Sequence, residues 1–134
     1  MTGPAQELDR GLLDTSTFIA QESGRPIGLL PLAGAVSVVT IAELQLGVLM
    51  ADDPGIRSQR LQTLATMEAL FDVLPIDAMV ARAFAELVAQ ARRLGRRPQI
   101  QDTWIAATAV VHGLPVYTQD NDFLDLPGVR IIRV

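Results

Sequence analysis

Residues 100–123, IQDTWIAATAVVHGLPVYTQDNDF, carry two carboxylates at positions that an α/β fold can bring together. Asp102 falls in the first turn of a helix beginning near Gln101, and Asp120 follows a short apolar strand over residues 114–118. Helix starts and the carboxyl ends of strands meet at one edge of such a sheet, where open sheets bind their ligands. Two further acids have the same kind of address. Asp14 ends the run GLLD and precedes a helix, TFIAQES, that Thr15 or Ser16 can cap. Glu43 stands three residues after Thr40, just past the β-branched strand AVSVV of residues 35–39. Taken alone, that spacing is a capping box, in which Glu43 only completes a helix start.

Four carboxylates at one edge have an electrostatic consequence. Six like-charge pairs at about 6 Å, in an effective dielectric near 20, cost roughly 15 kcal/mol before relaxation. That rivals the whole stability of a domain. Such a cluster must take up protons or cations. An all-oxygen donor set without cysteine or a histidine cluster selects Mg²⁺ or Mn²⁺ over zinc. Two such ions about 4 Å apart activate water and stabilise the leaving oxygen of a phosphodiester. The chain has no phosphate-binding glycine loop, no nucleophile elbow and no cysteine nucleophile to support other chemistry.

The elements that must position these acids read as strand, helix, strand, helix, helix, strand, helix, helix, strand, helical turn, strand. That order predicts a single α/β domain: a mostly parallel sheet of about five strands with helices on both faces. Residues 1–10 are a polar lead-in and 11–134 the domain. Residues 24–34, which hold Pro26 and Pro31 around an apolar segment, read as a loop with a short helix. After the turn DDPG, residues 56–71 form a helix with Leu61, Leu64, Ala65, Met67 and Leu70 inward. Residues 72–76 are an edge or terminal strand because of Pro75. Asp77 caps a long helix whose stripe is Val80, Phe84, Leu87, Val88 and Ala91, ending at Gly95. The last strand spans residues 129–134. His112, at a helix end before Gly-Leu-Pro, serves as a cap or dipole partner, and Trp104 as a partly buried aromatic.

Composition sets the outer bounds. The chain has 134 residues, 49% apolar and 19% charged, with no cysteine: a folded domain without disulfides or thiolate metals. No secretory signal or membrane-length apolar run appears, so the cytoplasm is the expected compartment. The net charge of −4 is unusual for a nucleic-acid binder, yet two bound divalent cations would bring the balance to zero. All eleven basic residues are arginine. Four of them, Arg92, Arg93, Arg96 and Arg97, close the helix before Asp102; they complement a helix dipole or form a phosphate-facing patch.

The segments GLLDTSTFI, TIAELQLG, IQDTWIAATAV and VYTQDNDF, in this order and at these separations, resemble the PIN domain of VapC-type toxins over nearly the whole chain from Gly11. The resemblance implies that Asp14, Glu43, Asp102 and Asp120 are the metal-binding quartet, with Asp122 as a supporting acid. It further implies that Thr15, Ser16 and Thr118 hold a metal water or orient a carboxylate. For function it implies a Mg²⁺- or Mn²⁺-dependent endoribonuclease that cuts transfer or ribosomal RNA and inhibits translation. A homodimer and a VapB-type antitoxin, whose C-terminal tail fills the active-site groove, complete the expectation. Gln119 departs from the pattern, which more commonly has Asn or Arg there. The alternative is a non-catalytic, Mg²⁺-binding receiver-like or interaction domain, which the absence of lysine and of an acid doublet near Asp14 disfavours. A haloacid-dehalogenase-type phosphohydrolase would need a second Asp two residues after Asp14, where Ser16 stands.

Overall fold

A computed structural model describes residues 9–121, 123 and 126–134. Its elements are β1 (Arg10–Leu13), α1 (Thr15–Glu22), β2 (Ala33–Ser37), α2 (Val38–Met50), α3 (Pro54–Leu70), β3 (Asp72–Leu74), α4 (Ala78–Arg93), α5 (Ile100–Val111), β4 (Val116–Thr118) and β5 (Ile131–Arg133). The strands form one five-stranded sheet in the order β3-β2-β1-β4-β5, and every neighbouring pair is parallel. Strand order reverses between β1 and β4. That switch point opens a crevice at the carboxyl edge, which Asp14 and Asp120 adjoin, one directly after β1 and the other two residues past β4.

Alternation along the inner strands sends successive side chains to opposite faces. Leu12 and Val116 pack with Val80, Leu87, Ile105 and Ala109 of α4 and α5. Leu13, Val36 and Tyr117 pack on the other face with Phe18, Leu44, Leu64 and Met67 of α1 to α3. Helices therefore cover both faces, as the sequence predicts. Gly11 is required where β1 passes under the Tyr117 ring, because a Cβ there would run into that ring. No helix among the described residues is long and apolar enough to cross a membrane.

Several boundaries differ from the sequence reading. The second strand ends at Ser37, and Val38 and Val39 open α2; Ser37 is extended and its hydroxyl accepts from the Val39 N–H at 3.1 Å. Their β-branched side chains suit a strand, but the serine cap starts the helix before them. Residues 24–32 contain no helix. On α3 only Leu64 and Met67 are buried; Leu61, Ala65 and Leu70 are exposed, because α3 rests on α1 and α2 along one narrow seam. The strands expected over residues 72–76, 114–118 and 129–134 shorten to three residues each. On α4, Val80, Leu87 and Ala91 are buried as expected, and Trp104 stacks on Phe84 with centroids 3.8 Å apart.

Candidate active site

Asp14 is the N-cap of α1 and is 2% exposed. Its Oδ2 accepts from the Ser16 N–H at 3.4 Å, from Ser16 Oγ at 2.7 Å and from Thr118 Oγ1 at 2.9 Å. The two short bonds come from hydroxyls, so the carboxylate is held by side chains more than by the helix end. The same hydroxyls fix the end of β4. The Gln119 N–H donates to Ser16 Oγ at 3.0 Å and the Asp120 N–H to Thr118 Oγ1 at 3.0 Å. One small network thus sets the positions of Asp14 and of the backbone that carries Asp120.

Glu43 lies in the second turn of α2, six residues after the Ser37 cap, and not in a first turn. The Thr40 capping box is therefore corrected: Thr40 is already helical and fully buried. Its hydroxyl lies 2.9 Å from Thr15 Oγ1, which donates to Glu43 Oε1 at 2.7 Å. Burial pushes the Glu43 carboxyl above the usual carboxylate range, opposed by the Thr15 bond and reinforced by the charges of Asp14 and Asp120. Asp102 sits in the first turn of α5 and is 8% exposed. The next residues, Thr103 and 105–109, are buried against the core.

Asp14, Glu43, Asp102 and Asp120 line a single cavity of about 200 Å³. Thr15 and Ser16 line it too, while Thr118 stands behind them as a donor to Asp14. Asp122 lies outside the described residues. The sequence reading missed Thr40, Arg25 and Gln99; the last two share the cavity wall. Thr40 and Glu43 share a helix face at i, i+3, a readable signal once the helix start is right. Arg25 and Gln99 have no spacing signature. His112 is the exposed C-cap of α5 and takes no part in the cavity.

The donor set is oxygen only, which matches hard divalent cations. Among the described residues no three His, Asp or Glu side chains already form a coordination group. The acids share a cavity without converging on one point. The residue types fit Mg²⁺ or Mn²⁺.

The sequence profile of the PIN domain matches residues 12–129. The chain is 50% identical to Ribonuclease VapC5 of Mycobacterium tuberculosis over 129 residues, covering 92% of this chain and 95% of that one. It is 44% identical to Ribonuclease VapC4 of the same organism over 127 residues, covering 93% and 97%. Among solved structures it matches VapBC-5 of M. tuberculosis, a member of the VapBC family of toxin-antitoxin systems. That match has a TM-score of 0.83 at 46% identity and covers 94% of this chain and 99% of the other.

Proposed function

This chain belongs to the PIN-domain family, and we propose that it is a VapC-type endoribonuclease, the toxin of a toxin–antitoxin pair that hydrolyses RNA phosphodiesters with Mg²⁺ or Mn²⁺. The observation that carries the reading is the set of four carboxylates on one cavity at the sheet's switch point. Asp14, Glu43, Asp102 and Asp120 would hold the cation, with Asp122 as a supporting acid. When bound, the metal supplies Lewis-acid activation of water and stabilisation of the leaving oxygen.

The chain's own residues supply the frame. Ser16 and Thr118 keep the Asp14 carboxylate in one orientation, and Thr15 does the same for Glu43. Such supporting hydrogen bonds fix the geometry in which ligands act. We infer that the substrate is transfer or ribosomal RNA, that its cleavage inhibits translation in the cytoplasm, and that the toxin is a homodimer silenced by a VapB-type antitoxin. The high identity to VapC5 and the likeness to a toxin-antitoxin complex support this.

The test uses antitoxin-free protein, melted with Mn²⁺ or with chelator and assayed on total RNA, with Asp102→Asn alongside. At about a hundredfold over the dissociation constant, Mn²⁺ adds roughly 2.7 kcal/mol, several degrees of melting temperature. The variant is expected to lose both this shift and cleavage. Metal-independent cleavage, or a shift that Asp102→Asn keeps, would overturn the assignment.

A further inference from the structure

A second and larger cleft, of about 780 Å³, opens beside the acidic one. Arg92, Arg96 and Arg97 line it, together with Phe84, Val88 and Ile100. The first turn of α5 is the wall between the two: Gln99 and Asp102 face the acidic cavity, whereas Ile100 and Thr103 face the basic one. We propose that this arginine-lined cleft holds the RNA strand on one side of the scissile bond. The guanidinium groups would bind its phosphates and Phe84 would take a base. The proposal rests on the ribonuclease reading and adds to it the path of the substrate.

Charge and chemistry point the same way. The acidic cavity repels a polyanion until cations fill it, so the phosphates flanking the cut need positive charge supplied elsewhere. Four of the eleven arginines of an otherwise acidic chain fall within residues 92–97, and three of these line this one cleft. Guanidinium groups bind phosphate through paired, planar donors. Arg92 lies in the last turn of α4, and Arg96 and Arg97 lie just past it. A helix dipole favours cations, but its effect falls off within the last turn, and Arg96 and Arg97 lie beyond it. The dipole does not account for arginines gathered around a cleft that is also lined by apolar side chains. Its apolar lining is Phe84, Val88 and Ile100, and Trp104 stacks on Phe84 at 13° between ring planes. An aromatic ring held flat by a second ring is a platform suited to an unpaired base. The cleft volume lies within the roughly 300–1,000 Å³ of small-ligand sites. A double-stranded substrate would not splay a base into it, so the occupant is single-stranded.

The experiment compares wild type with Arg92→Ala/Arg97→Ala in binding a labelled single-stranded oligoribonucleotide of about twelve nucleotides, enough to span both clefts. Ca²⁺ replaces Mn²⁺ so that affinity is read without turnover, and the dissociation constant is followed against salt. The double variant is expected to bind at least tenfold more weakly. Its log–log salt slope should fall by about 1.4, some 0.7 for each lost phosphate contact on a single strand. In cleavage, KM for the long RNA should rise with kcat preserved, while cleavage of a trinucleotide stays unchanged. Phe84→Leu should weaken binding without changing the salt slope. Unaltered affinity and slope in the double variant, with wild type binding and cutting RNA, would overturn the proposal and leave the ribonuclease reading intact. So would loss of antitoxin binding with RNA binding unchanged, which would assign the cleft to a protein partner. A wild type that neither binds nor cuts RNA would overturn the ribonuclease reading itself.

Discussion

Asp14 and Asp77 look alike along the chain: each follows a strand closely and caps the helix that comes next. In space they differ. Asp77 is exposed and its Oδ1 accepts from the Val80 N–H at 2.9 Å, an ordinary cap. Asp53 does the same for Ile56 at 2.9 Å. Asp14 is almost fully buried, its bond to the Ser16 N–H is stretched to 3.4 Å, and its short bonds go to two hydroxyls. The cause is strand position. Asp77 follows β3 at the sheet edge, where solvent surrounds it, whereas Asp14 follows β1 at the switch point, where α1, α2, α5 and β4 enclose it. A helix cap becomes a site residue when the sheet supplies walls.

The largest test of that contrast is the pair Asp14→Asn and Asp77→Asn. Both keep a side-chain oxygen able to cap a helix. If Asp14 is a metal ligand, Asp14→Asn removes several kcal/mol of charge stabilisation, and RNA cleavage should fall by about a thousandfold. Asp77→Asn should cleave like wild type. Equal cleavage by the two variants would erase the distinction drawn from burial.

How much of this could be read along the chain follows from the same contrast. Asp14 and Asp120 are legible because each follows a short apolar run, and Asp102 because it stands in a helix's first turn; Glu43, in the second turn of α2, reads as a mere cap until the family resemblance assigns it to the site. The parallel sheet with helices on both faces was visible in the alternation of short apolar runs with amphipathic helices. The hydroxyl scaffold was harder. Thr40 touches Thr15 across 25 residues of chain, and with Val38 and Val39 read as strand it looked like a cap. The spacing of Leu61, Ala65 and Leu70 predicts a wider buried face on α3 than the structure has, because the helix touches too little of the molecule to cover them. Spacing gives a face; only packing decides how wide that face is.

A finer probe uses pH on metal-free protein. The folded Glu43 carboxyl is raised by burial, despite the Thr15 bond, with the Asp14 and Asp120 charges adding to the rise. A raised carboxyl means that the native state holds its proton to higher pH than the unfolded chain does. Its favourable contribution is therefore complete below the ordinary glutamate value of 4.5 and is lost as pH climbs through the raised folded value. In chelator, Glu43→Gln should melt above wild type at neutral pH, and the gap should close below pH 4.5. A gap constant with pH would mean that the gain comes from packing and not from relief of charge. Asp77, with solvent around it, should show no comparable gain on Asp77→Asn.

The smallest effect isolates the cap itself. Asp77→Ala deletes the acceptor for the Val80 N–H without touching the cavity. An N-cap lost to alanine costs about 1 kcal/mol, which in a domain of this size lowers the melting temperature by about 3 °C. Cleavage measured well below the transition should be unchanged. Asp14→Ala should behave differently in chelator, because the lost cap is offset by removing a buried charge from a cluster of like charges. The melting loss should then be smaller for Asp14→Ala than for Asp77→Ala without metal, and the order should reverse once Mn²⁺ is added. Two aspartates with the same place in their helices would be separated by the sign of what the cation does, which an ordinary cap cannot produce.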